Sequence, residues 1–162
     1  MGYSTYLKGE IMVSPPLNKG EIEFLTAFNR TRHSQNKSSP YDVFAGKLEL
    51  RRDASFRGVV KNSTCYEGMP GLWCHWIPSK DGSHIKWDGA EKTYDFSEWL
   101  SYLIVHFLGL EPKAYQYLNF LKGHALSGVV EAYGERHDDL WRIVVYDSIV
   151  SVQKGIIVYE QE

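Results

Sequence analysis

The chain has 162 residues, enough for one domain that buries most of the surface its unfolded form would expose. At 43% hydrophobic and 23% charged it has the composition of an ordinary globular protein, and a formal charge of -2 removes the electrostatic basis for binding duplex nucleic acid. The opening MGYSTYLKGEIMV has neither the basic start nor the continuous apolar run of a signal peptide, no later apolar stretch approaches a membrane span, and Tyr6 stands where N-myristoylation wants Ser or Thr. The expected location is the cytoplasm, with Cys65 and Cys74 as reduced thiols.

Residues 6–13 alternate Leu7, Gly9, Ile11 and Val13 against Tyr6, Lys8, Glu10 and Met12, the period of a half-buried strand that Pro15 and Pro16 end. Asn18 followed by Glu21 reads as a capping box, and Leu17 with Ile22 as a hydrophobic staple. The helix they start runs to about Arg32, with Ile22, Phe24, Leu25 and Phe28 as its apolar side. Residues 33–71 form a long polar insertion, far beyond the roughly 4–6 residues of an ordinary connection. Within it Arg51, Arg52 and Arg57 cluster near Phe56, a group suited either to holding a phosphate or simply to a solvated loop.

The next stretch, GLWCHWIPSKDGSHIKWDGAEKTYDFSEWL, holds four of the five Trp residues. It reads as a hairpin, Leu72–Ile77 and His84–Asp88, around the Asp81-Gly82 turn. A second helix follows, with Asp95 as N-cap, Glu98 three residues on, and Tyr94 and Trp99 in the staple positions. Phe96, Trp99, Leu100, Leu103, Ile104, Phe107 and Leu108 repeat at helical spacing until Gly109, and Pro112 prevents continuation. Residues 113–121 suggest a short helical turn with Tyr115, Tyr117 and Leu118 packed inward. Segments 124–133, 140–146, 149–153 and 156–160 read as a β-meander.

The order strand, helix, strand, strand, helix, strand predicts an α+β fold in a single domain over 1–162. Its antiparallel sheet carries two main helices on a ferredoxin-like split β-α-β core, extended by the C-terminal meander. Strand 72–77 is apolar on both sides: Leu72, Cys74 and Trp76 point one way, Trp73, His75 and Ile77 the other. One helical layer covers only one sheet face, so the insertion, the meander or a second copy in a homodimer is expected to shield the other.

His75 and His84 sit on paired strands near Asp88 and Glu91, but their spacing matches no established metal pattern, and no metal or cofactor is assigned. Cys74 and His75 point to opposite faces of their strand, which separates the one adjacent thiol and imidazole. A phosphate-binding glycine loop and the paired His motifs of a 2H phosphoesterase are absent, so no catalytic residue is assigned. The segment Trp87–Tyr94 is the candidate binding corner. It joins a strand to a helix start, Lys92 supplies charge, and Trp87 and Tyr94 supply stacking faces. Trp73, His75, Trp76 and His84 complete the candidate ligand-binding set with the three arginines. The competing reading is a tight turn pinned by salt bridges.

The run from Gly71 to Leu108 resembles a family of small proteins of bacteriophages and bacteria, particularly actinobacteria, that share GLWCQW, DGTAIEWDGGEKFY and WLxYLIxHFL runs. The N-terminal GYSTYLKGEIMVSPPLNKGEIEFLTAFNRTRH and the C-terminal LSGVVEAYGERHDDLWRIVVYDSIVSV are similar as well. His75 replaces the family's Gln, Lys86 its Glu and Ala90 its Gly, and the family motif transfers no catalytic or binding residue. The resemblance implies a phage-type accessory protein in host cytoplasm. The expected function is non-enzymatic binding that sequesters a nucleotide-derived host-defence signal. Two alternatives stand beside it: a protein-interaction module that inhibits a host protein, and a metal-dependent phosphoesterase using His75, His84 and nearby carboxylates.

Overall fold

The computed structural model describes residues 2–35, 39–43 and 64–162. Arg51, Arg52 and Arg57 lie outside the described residues. In chain order the elements are β1 (Thr5–Ser14), α1 (Lys19–Arg30), β2 (Trp76–Pro78), β3 (His84–Trp87) and α2 (Phe96–Leu103), which runs into a π-helical segment (Ile104–Leu108). Then follow β4 (Ala125–Gly134), β5 (Leu140–Tyr146) and β6 (Ile149–Lys154). The sheet order is β2-β3-β1-β4-β5-β6, with every neighbouring pair antiparallel. Its first four strands take the order of the expected split β-α-β-β-α-β arrangement, and β5 and β6 extend the sheet beyond β4.

Antiparallel partners share a sheet face, so the register divides the residues cleanly. Ile11 opposes Ile85, Val13 opposes Leu126 and Val130 opposes Ile143. All six are buried, in one cluster with Phe24, Leu25 and Phe28 of α1 and with Trp99, Leu100, Leu103 and Phe107 of the second helical stretch. Gly9 on this face has φ 123, and a Cβ there would come within 2.5 Å of the Val129 carbonyl oxygen. Glycine is what lets β1 run this close to β4.

The capping box of α1 forms as the spacing predicts. The Asn18 side chain accepts the Glu21 amide at 2.8 Å, and the Glu21 carboxylate accepts the Asn18 amide at 3.0 Å. Asn18 also donates to the Phe120 carbonyl at 2.9 Å, tying the helix start to the segment before β4. Asn18→Ala is therefore expected to lower stability by about 1–2 kcal/mol, read as an earlier urea midpoint with unchanged slope. An unchanged midpoint would remove this role. The helix stops at Arg30, short of Arg32, because Thr31 has turned extended.

The second helix departs further from expectation. Asp95 sits at φ 59, in the left-handed region, and makes no side-chain cap bond. Tyr94 is exposed while Trp99 is buried, so the two expected staple partners occupy different environments. The last turns widen into the π-helix, closed by the Gly109 amide on the Ile104 carbonyl at 2.8 Å. A Cβ at Gly109 would itself come 2.8 Å from that oxygen. Carbonyls of Val105 and His106 accept the amides of Lys113 and Ala114, at 3.0 Å each, so the following turn is bonded onto the π segment. Tyr115 and Tyr117 in that turn are exposed, contrary to the inward packing expected of them. The meander ends with β6, and residues 156–160 form no strand.

Candidate binding surface on the open sheet face

The residues singled out in the aromatic stretch divide between core and surface. Trp76 is 3% exposed and its indole N–H donates to the Phe96 carbonyl at 2.9 Å, so it is a core residue with no ring face for a ligand. Trp73 is exposed. Cys74 is buried, and burial pushes its thiol up to about 12, the Trp76 amide opposing and the Asp88 charge adding. At neutral pH that sulfur is a protonated core atom and no nucleophile.

His75 and Asp88 form a pair, Nδ1 to Oδ2 at 3.0 Å. Asn29 of α1 reaches the same carboxylate at 3.0 Å, and the Ala90 amide bonds its other oxygen at 2.9 Å. Burial pushes the Asp88 carboxyl up, but the bonds from His75, Asn29 and Ala90 outweigh it, and the group is held below its ordinary value. Asp88 is thus a fixed carboxylate that orients the His75 ring. His84 lies elsewhere on the sheet, opposite Met12, with its Nε2 3.1 Å from Glu10. Each histidine has a carboxylate of its own. Among the described residues, no group of three His, Cys, Asp or Glu side chains is placed to hold a metal.

The Trp87–Tyr94 corner is largely used in holding itself together. The Trp87 indole donates to Thr93 Oγ1 at 3.3 Å, and that hydroxyl donates to the Ala90 carbonyl at 2.7 Å. Lys92 takes a left-handed φ of 56, and it and Tyr94 pack beside Gly2, where a Cβ would meet both side chains. Hydrogen bonds hold the turn, and the ion pair at its edge is His75 with Asp88. One exit leads from it: Trp87 meets Tyr6 edge-on at 6.3 Å, and Tyr6 stacks on Tyr133 with 6.0 Å between centroids.

That aromatic line leads onto the sheet face opposite the helices. The register sets Lys8, Glu131, Arg142 and Gln153 in one row across β1, β4, β5 and β6, with Tyr6, Tyr133 and Leu140 in the row beside it. On the other side lie Glu10, Val129, Val144 and Ser151. Tyr6, Met12, Val129 and Tyr133 are all exposed, so among the described residues no layer covers this face. The meander, one of the expected shields, widens the sheet instead of covering this face, and water solvates the charged row.

Where the rows meet β6, an open cleft of about 400 Å³ is lined by Glu131, Tyr133, Leu140, Trp141, Arg142 and the Gln153–Gly155 stretch. Arg142 Nε donates to Gln153 Oε1 at 2.7 Å, which fixes the guanidinium plane while using one of its five donors. An aromatic face and an oriented guanidinium, with Lys8 in the same row, stand against the carboxylate of Glu131. The arrangement suits a flat ring carrying negative charge. No motif or local spacing marks Glu131, Tyr133 or Arg142 as a group. The alternation of β1 had already put Tyr6 and Lys8 on one side, but only the register with β4 and β5 joins them to the other three. No protein-family model matches the chain, and no curated protein or solved structure matches it either.

Proposed function

We propose that the chain is a non-enzymatic binding protein for a nucleotide-derived small molecule, taken up on the open sheet face. The observation that carries the reading is the 400 Å³ cleft with Tyr133 and Arg142 in its wall. Its size falls within the roughly 300–1,000 Å³ of small-molecule sites. Tyr133 offers a stacking face to a base, and Arg142, in one row with Lys8, offers charge-assisted hydrogen bonds to a phosphate. The family resemblance supports a phage accessory role in host cytoplasm, where such binding would withdraw a defence signal from circulation.

Calorimetric titration with nucleotides and cyclic nucleotides is expected to give saturable heat, with the ligand recovered chemically unchanged. Tyr133→Ala should weaken the affinity about tenfold or more, because base stacking is worth roughly 1–3 kcal/mol. Absence of heat with every nucleotide tested would sink the proposal. A second reading, a module that docks a host protein, is favoured by Met12, Val129, Tyr146 and Ile149, four exposed apolar side chains in β1, β4, β5 and β6.

A further inference from the structure

The two edges of the sheet differ sharply in how they are finished. β2 has three residues and ends in Pro78, and Asn29 of α1 bonds the Cys74 and Trp76 carbonyls at 2.9 and 3.3 Å. Short length, proline and a covering side chain are the ordinary means of blunting an edge. Among the described residues β6 has none of them. It runs six residues, IVSVQK, with a single charge at its end, and in the sheet it pairs with β5 alone. Directly after it comes a segment of strand-forming composition. Ile156, Ile157, Val158 and Tyr159 are 79, 39, 71 and 86% exposed, outside any helix, strand or turn. The Gly155 amide still bonds the Leu140 carbonyl at 2.7 Å, so the pairing with β5 holds through Gly155 and the segment begins at the sheet's edge.

An open edge and an unpaired strand-forming segment therefore lie on one continuous stretch, 149–160. Such a stretch is complementary to itself under a two-fold axis. We infer that the chain forms a homodimer by strand exchange, the 156–160 segment of each copy adding antiparallel to the β6 edge of its twin, with the axis near Gly155. With the two Gly155 residues opposed, Ile156 faces the twin's Lys154, Val158 its Val152 and Glu160 its Val150, so no like charges meet. Centring the axis on residue 154 would bring Lys154 onto its own copy, and centring it between two residues would set Ile156 and Val158 against the opposite sheet face. A second copy is favoured over a foreign strand because it supplies both halves of the match at once and closes both edges together. The exchange also carries the twin's Ile157 alongside Gln153, at the border of the cleft. The association stands whether or not that cleft holds a ligand.

Sedimentation velocity on the full chain tests this. The expected mass is twice the 18.6 kDa of one chain, returning to a single chain in Ile156→Lys/Val158→Lys with unchanged circular dichroism. A second variant, Val152→Cys/Val158→Cys, is expected to give a disulfide-linked dimer on mild oxidation, whereas Val152→Cys alone gives none. A single-chain mass up to the solubility limit would overturn the inference. So would a dimer that persists unchanged in the double-lysine variant, since the contact would then lie elsewhere.

Discussion

His124→Ala is expected to cost about 3–5 kcal/mol, among the largest losses available to a single substitution in this chain. His124 Nε2 lies 2.7 Å from Glu21 Oε2, and both side chains are 1% exposed. The other ring nitrogen, Nδ1, is 2.6 Å from the Pro15 carbonyl. A carbonyl only accepts, so Nδ1 carries a proton; with a carboxylate at Nε2 the ring is an imidazolium bonded at both ends. Glu21 is equally committed, accepting the Asn18 amide through one oxygen and the Lys122 amide, at 3.2 Å, through the other. The pair joins the turn after β1, the start of α1 and the entry to β4. Removing the imidazole leaves a buried carboxylate without its counter-charge, and that desolvation dominates the cost.

The same pair sets a pH profile. Burial pushes the Glu21 carboxyl up, but the His124 bond, the two amides and the His124 charge prevail and hold it below 4.5. Its contribution is therefore complete above 4.5 and lost as pH falls through the lowered folded value. Burial pushes His124 down, but the Glu21 and Pro15 bonds and the Glu21 charge prevail and hold it above 6.5. That contribution is complete below 6.5 and lost as pH rises through the raised folded value. Both are present together between 4.5 and 6.5. The urea midpoint should be highest there and decline on either side, and in His124→Gln the alkaline decline should flatten. An identical alkaline decline in that variant would place its origin in another group.

Phe107→Ala should cost a similar amount, about 3–5 kcal/mol. Its ring is fully buried inside the π-helical segment, in edge contact with Phe24 and Phe28 at 5.0 Å each and with Tyr41 at 5.5 Å. Two helical stretches and the 39–43 segment converge on it, so truncation opens a void that none of them can close alone. Phe107→Leu fills part of that volume and should lose distinctly less in the same denaturation experiment. Equal losses in both would mean that the cost lies in the π-helical backbone and not in the ring contacts.

The features legible in the chain alone are local. Asn18 and Glu21 specify a helix start through bonds that span three residues, and the alternation from Tyr6 to Met12 specifies a two-faced strand, because both depend only on backbone geometry and near neighbours. The order of strands and helices followed from such local patterns, and with it the α+β class. Asp95 departs from its local pattern for the complementary reason. Its spacing to Glu98 fits a capping box, but it enters the helix at a left-handed φ and its side chain makes no cap bond, so the box does not form. Tertiary structure alone decided the rest. Glu21 became half of a buried ion pair because His124, 103 residues away, folds back onto it. Trp76 went into the core and Tyr133 onto the surface because pairing fixes which side of a strand is covered, and two helices cover one face of a six-stranded sheet. Tyr6, Tyr133 and Arg142 became neighbours only through a register that joins β1, β4 and β5, and no period within a single strand encodes that register.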